Sequence, residues 1–210
     1  TMKRYVDYLS STADNYIVSH GLGDWYDYTG ERAGFSKNTP VPLVATAYYY
    51  EDIILLSKAA QMTGNPKDEK YYSQLGEKVK SAYNSAFFNE QTRQYGTGSQ
   101  CSNAISLYFN LVEPENKLAV LENLVTDIRK HDNRLTTGDI GTRYLFQTLA
   151  SNELNELVYT MNNHEDVPGY GFQLKFGATT LTEQWDPRQG ASWNHFMMGH
   201  IDEWFFAWLA

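Results

Sequence analysis

The sequence predicts an all-α protein, a helical toroid with a cleft at one rim. Three observations predict it. Apolar residues recur at helical spacing along nearly the whole chain, strand signals are short, and the turn-rich segments alternate between long and short. The 210 residues suffice for one large domain, whose single core would bury roughly 70% of the unfolded surface. We therefore read residues 1–210 as a single domain.

Tyr5, Tyr8 and Leu9 form a short apolar stripe that ends near Ser10-Ser11-Thr12. After a turn-rich segment, Pro40 to Met62 reads as a long helix with Val44, Ala47, Tyr48, Ile54, Leu55 and Ala59 at helical spacing. Gly64-Asn65-Pro66 stops it. Lys67 to Phe88 follows, with Tyr71, Leu75, Val79, Ala82, Tyr83 and Phe87 on one face. A loop over Asn89 to Ser99 precedes helix-like stretches at Gln100–Val112, Glu115–Lys130, Gly141–Leu149 and Glu153–Met161. The last helix is expected from about His195 to Ala210. Tyr16–Val18 and Leu135-Thr136 are the short strand candidates. No fixed-period repeat accompanies the helix pairs, which argues against a tetratricopeptide-type solenoid. Seven or eight helices make an incomplete ring. Its open faces, and the apolar Trp204, Phe205, Phe206, Trp208 and Leu209, call for a neighbouring segment or a partner chain. The N-terminus, without an apolar signal core, reads as a helix already under way.

Charge and composition exclude several classes. Against 25 Asp+Glu stand 17 Lys+Arg, a net charge of −8, with no basic cluster; nucleic-acid and anionic-membrane partners are not expected. No apolar run reaches the ~18 residues of a membrane span. The lone Cys101 excludes an internal disulfide and a cysteine-based metal site. His20, His131, His164, His195 and His200 include no i,i+4 pair and no His-Glu-x-x-His pattern, so neither a metal nor a cofactor is expected. A phosphate-binding glycine loop and a Gly-x-Ser-x-Gly elbow are absent too.

What remains is carboxylate chemistry. Thr179-Thr180-Leu181-Thr182-Glu183-Gln184-Trp185-Asp186-Pro187 places two acids and an indole within four positions. Apolar surface beside a carboxyl group tunes it as an acid or base for glycoside hydrolysis, and aromatic faces stack on sugars. Glu183 is the candidate base; its bland alternative is a surface carboxylate or a residue near a Thr180 helix cap. Gly23-Asp24-Trp25-Tyr26-Asp27 offers a sugar platform with two acceptors, although Asp24 serves equally as a loop brace and Trp25 as core. In Trp193-Asn194-His195 the imidazole is a candidate donor to a sugar hydroxyl, weighed against a structural histidine. Thr136-Thr137-Gly138-Asp139-Ile140-Gly141 reads as a tight turn feeding a helix, with Asp139 as its cap.

Taken in order, these motifs resemble a known family. Gly-Asp-Trp (23–25), Ser-Gln (99–100), Leu-Thr-Thr-Gly-Asp-Ile-Gly-Thr (135–142), Gly-Ala-Thr-Thr-Leu-Thr-Glu-Gln-Trp (177–185), Asn-His (194–195) and Ile-Asp-Glu-Trp-Phe (201–205) are similar to glycoside hydrolase family seventy-eight, the bacterial and fungal α-L-rhamnosidases. The resemblance covers essentially the whole chain and implies the C-terminal part of an (α/α)6 catalytic barrel of the six-hairpin glycosidase type. It implies inverting hydrolysis of terminal α-L-rhamnose from a glycoside or polysaccharide. By the same resemblance Glu183 is the general base, Trp25 and His195 contact the sugar, Trp185 shapes the pocket wall, and Asp24 and Asn194 are further sugar contacts. The family's general acid lies upstream of Gly-Asp-Trp, and nothing in the 22 residues before Gly23 matches it. The expectation is a base without its acid, and little activity for this chain alone. Another toroid carbohydrate enzyme, such as an unsaturated glucuronyl hydrolase, and a noncatalytic sugar-binding or scaffold module are the competing readings.

Overall fold

The computed structural model describes residues 1–29, 34–190 and 192–209. The described residues form nine α-helices, α1 Met2–Thr12, α2 Val41–Met62, α3 Pro66–Phe87, α4 Gln100–Tyr108, α5 Lys117–Lys130, α6 Gly141–Ser151, α7 Asn155–Asn162, α8 Tyr170–Lys175 and α9 His200–Trp208, and one hairpin. In the hairpin, β1 (Phe88–Asn89) pairs antiparallel with β2 (Gln94–Tyr95), within the segment expected to be loop except for Phe88, expected to end the preceding helix. The strand candidates at Tyr16–Val18 and Leu135-Thr136 form no strand; the first contributes one bridge, Asp14 to Ile17.

Helix neighbours define two layers. The α2, α4, α6 and α9 helices pack in sequence order along an inner arc, while α3, α5 and α7 each pack against the inner helix that precedes them. Burial follows the same division. The outer helices bury one stripe: Tyr72, Gly76, Val79 and Tyr83 on α3, and Val120, Leu124 and Ile128 on α5, at spacings of three and four. Of the inner helices, α2, α4 and α6 bury several faces, α4 continuously from Gln100 to Ser106, while α9 buries Ile201 and Trp204. This is the all-α toroid architecture that the periodicity predicts.

The periodic stripes are displaced in detail. On α1 the core takes Val6 and Leu9, while Tyr5 and Tyr8 are each 54% exposed. On α3, Tyr72 is buried and Tyr71 exposed; on α2, Leu56 is buried and Leu55 exposed. A tyrosine ring tolerates the boundary, with its hydroxyl in water, so its spacing marks the core face less sharply than Val or Leu. The final helix starts at His200 rather than His195, after a 3₁₀ turn over Phe196–Met198; Ala210 lies outside the described residues.

Inner-to-outer connections are short and outer-to-inner ones long. At the α2–α3 turn Gly64 sits at φ +67°, the Asn65 amide reaches back to the Ala60 carbonyl, and the Asn65 side chain caps α3 through the Asp68 amide at 3.2 Å. All long connections emerge at the opposite end of the array. Among the described residues no helix is long and apolar enough to cross a membrane.

Candidate active site

Most of the motifs singled out in the sequence lie in long connections: residues 23–27 between α1 and α2, Ser99 before α4, residues 135–140 between α5 and α6, and residues 177–195 between α8 and α9; Ile-Asp-Glu-Trp-Phe (201–205) lies within α9. The first turn of α4 anchors its neighbours. Ser99 caps the helix through the Ser102 amide; the Gln100 amide group donates to the Arg134 carbonyl and accepts from the Thr136 amide; and Asn103 accepts from Tyr95 N.

Two loops then interlock. The Asp139 amide donates to the Trp25 carbonyl at 2.8 Å, and Gly141 N donates to Asp24 Oδ1 at 2.7 Å. Close approach, not backbone conformation, requires glycine here. A Cβ on Gly138 would lie 2.0 Å from the Trp25 carbonyl oxygen, and one on Gly141 would lie 2.6 Å from Asp24 Oδ2. Asp24 is fully buried and braces the two loops, and it is not among the residues that line the cavity between the first and last long connections. Burial pushes its carboxyl up to about 7, against the lowering effect of the Gly138 and Gly141 amides. Asp27 is buried as well and clamps the same loop, its Oδ2 accepting from the amides of Lys37 at 2.8 Å and Asn38 at 2.5 Å.

The Glu183 segment is set by alternation. Thr182 and Gln184 are buried on either side and bonded to each other, Thr182 Oγ1 donating to the Gln184 carbonyl at 2.7 Å, while Glu183 is only half-buried. Two rungs fix it to the following strand-like segment: Glu183 N donates to Ser192 O and His195 N to Leu181 O, both at 2.9 Å. Ser192 N also donates to Glu183 Oε2 at 3.2 Å. Thr180 caps no helix; its hydroxyl bonds the Trp193 carbonyl.

A cavity of about 500 Å³ opens between the first and last long connections. Trp25, Tyr48, Val44 and Ile140 give it apolar walls; His20, Asp139 and His195 are among its polar lining. Trp25 is held edge-on by Phe35, ring centroids 5.4 Å apart. Asp139 is 2% exposed, and its Oδ2 meets His195 Nε2 at 2.8 Å. Burial pushes Asp139 up to about 6; the His195 ring opposes this and Glu183 adds to it. Glu183 is not itself part of the lining but stands beside two residues that are, Asp139 and His195. One oxygen each from Glu183 and Asp139 and one His195 ring nitrogen all lie within 4.8 Å of one another. These three are ligand types for a metal, and the His195 ring nitrogen and the Asp139 oxygen are joined to each other by a hydrogen bond.

Of the residues singled out, Trp25 and His195 line this cavity, with Glu183 beside His195. Trp185 does not. It is 1% exposed, packs edge-on to Tyr170 and donates Nε1–H to the Thr137 carbonyl at 2.9 Å, so it ties two loops together behind the cavity instead of forming its wall. Asn194 is exposed at the surface and outside the cavity lining. Asp139, read as a helix cap, caps nothing: Ile140 precedes α6 without a side-chain cap, and the Asp139 carboxylate belongs to the site.

Residues 1–209 match the family model of the bacterial α-L-rhamnosidase six-hairpin glycosidase domain. An α-L-rhamnosidase of Formosa agariphila is 29% identical over 98% of this chain and 23% of its own length; one of Alteromonas sp. is 28% identical over 98% and 24%. The α-L-rhamnosidase structure from Dictyoglumus thermophilum superposes with a TM-score of 0.90 at 38% identity, over 98% of this chain and 24% of that one. A Streptomyces avermitilis α-L-rhamnosidase complexed with L-rhamnose gives 0.86 at 26%, over 98% and 20%. The chain thus spans about a quarter of the length of these relatives.

Proposed function

The chain belongs to the bacterial α-L-rhamnosidase six-hairpin glycosidase domain family, and from that membership and the cleft geometry we propose that it supplies the general-base side of an inverting α-L-rhamnosidase. The observation that carries this reading is the convergence of Glu183, Asp139 and His195 at the edge of an aromatic-walled cavity. A rhamnose ring stacks on Trp25, with a hydroxyl at His195. Glu183, one oxygen of which is engaged by Ser192 N, uses the other to take a proton from water as that water attacks the anomeric carbon. A carboxylic acid roughly 6.5–9.5 Å away protonates the leaving oxygen on the opposite face. That acid is proposed to come from the rest of the longer protein, with the exposed apolar Phe206 of α9, at 81%, and Leu209 just after it, at 55%, buried against it. Substrates are rhamnose-containing glycosides or polysaccharides.

Glu183→Gln in the full-length protein is expected to lower turnover of an aryl α-L-rhamnoside by about 10²–10⁴-fold, with circular dichroism unchanged. An unaltered rate removes the base role and leaves a sugar-binding module.

A further inference from the structure

We infer that Asp139 is a positioning residue for sugar recognition: its buried carboxylate sets the orientation of the His195 ring while its main chain holds the Trp25 loop, so that both meet one sugar. The inference rests on the reading of the cleft as a rhamnose site. Asp139 is the point where three connections meet. Its amide holds Trp25 O at 2.8 Å, its Oδ2 holds His195 Nε2 at 2.8 Å, and its carbonyl faces His200 Nε2 at 3.1 Å. Glycines on either side make this possible, since a Cβ at 138 would strike the Trp25 backbone and one at 141 the Asp24 carboxylate.

The ring chemistry follows from which nitrogen is engaged. With Nε2–H donating to a carboxylate, neutral His195 has Nδ1 left as an acceptor for a sugar hydroxyl. The second rigid link, His195 N to Leu181 O, fixes the backbone of His195 relative to Glu183 two residues on. The ring that contacts the sugar and the carboxylate that activates water are therefore held in one frame, and Asp139 sets the ring's rotation within it. Its other oxygen, Oδ1, is buried with no hydrogen-bond partner among the described residues. A buried charge kept half-satisfied lowers stability, and a residue serving structure alone would be improved by an uncharged side chain of the same shape.

The test is a double-mutant cycle in the full-length protein with an aryl α-L-rhamnoside. Asp139→Ala is expected to lower kcat/KM about 10–100-fold, chiefly through KM, as loss of a residue that orients a ligand-binding histidine does. His195→Ala lowers it too, and adding Asp139→Ala to His195→Ala costs little more, because the effect passes through the ring. Asp139→Asn, which keeps the shape and an acceptor oxygen, recovers part of the loss and melts no lower than wild type. Two results overturn the inference: unchanged kinetics in Asp139→Ala, or losses that multiply independently in the double variant. Should Asp139→Ala fail to fold, Asp139→Asn combined with His195→Ala gives the same reading. If Glu183→Gln is silent, the base role proposed for Glu183 fails; if Glu183→Gln is inactive while Asp139 and His195 act independently, only the positioning role fails.

Discussion

The two ends of the helix array use the same residue types to opposite purposes. At the α2–α3 end, glycine supplies conformation: Gly64 takes φ +67° with nothing within 4 Å of where a Cβ would stand, and Asn65 caps the next helix. At the cleft end, where other glycines also take positive φ, Gly138 supplies room: it stands where a Cβ would be 2.0 Å from another loop's backbone. Acids divide likewise. Asp68 and Glu69 sit in the first turn of α3, favourable to the helix dipole, while Asp24, Asp27 and Asp139 are buried. One end terminates helices at little energetic cost; the other holds buried charge and interlocked loops, and the candidate chemistry is there.

The comparison is most sharply broken by moving one methyl group. Gly138→Ala is expected to cost more than about 4 kcal/mol, because two loop backbones must separate and take the Asp139–Trp25 link with them. Gly64→Ala, with space around it, is expected to cost only the left-handed penalty of about 1–2 kcal/mol. Urea unfolding of both variants measures the difference; equal losses would mean that the cleft loops are not interlocked as described.

A smaller effect separates the acids. Asp24 titrates at about 7 in the folded chain against 3.8 for a free side chain, because burial opposes its charge. Below about pH 4 it is protonated in both states and contributes no penalty. Between pH ~4 and ~7 the folded state holds more protons than the unfolded one, so stability falls as pH rises. Above pH ~7 the penalty is complete, up to about 4 kcal/mol. Asp24→Asn keeps an oxygen for Gly141 N and removes the charge. Relative to wild type it is expected to be clearly more stable at pH 8 and nearly equal at pH 4 in urea unfolding. A parallel pH dependence in the two proteins would contradict a buried, charge-opposing site for Asp24.

These particulars explain what the sequence conveys. The α2–α3 turn was fully legible, since Gly64-Asn65-Pro66 acts within a few residues of itself, and helices α2 and α3 match their predicted spans nearly to the residue. The short α8 was not, because its six residues lie among Gly169, Gly171 and Gly177 and show too few turns for a period. At the cleft the determining partners are remote. Asp139 looks like a cap until His195, 56 positions away, is seen to meet it, and Asp24 looks like a sugar acceptor until Gly141, 117 positions away, is found on its oxygen. Trp185 has the composition of a pocket wall, but its neighbours Gln184 and Thr182 turn the backbone so that Glu183 faces outward and the indole inward. Local chemistry made Glu183 a candidate and the family resemblance gave it a role; only tertiary contact sorts the residues around it into those that face the cavity and those that support it.

The smallest effect tests the inexpensive end. Asn65 Oδ1 accepts the Asp68 amide at 3.2 Å, and Asn65 Nδ2 donates to Asp68 Oδ2 at 2.8 Å, so the first turn of α3 has one backbone donor satisfied by this side chain. Asn65→Ala is expected to cost about 1 kcal/mol, the ordinary value of an exposed cap. It should leave kcat and KM for an aryl α-L-rhamnoside untouched, because the turn lies at the end of the array opposite Glu183 and His195. Chemical denaturation and steady-state kinetics on the full-length variant check both halves. A change in KM without a change in stability would mean that the two ends are coupled, and that the division of labour drawn between them is wrong.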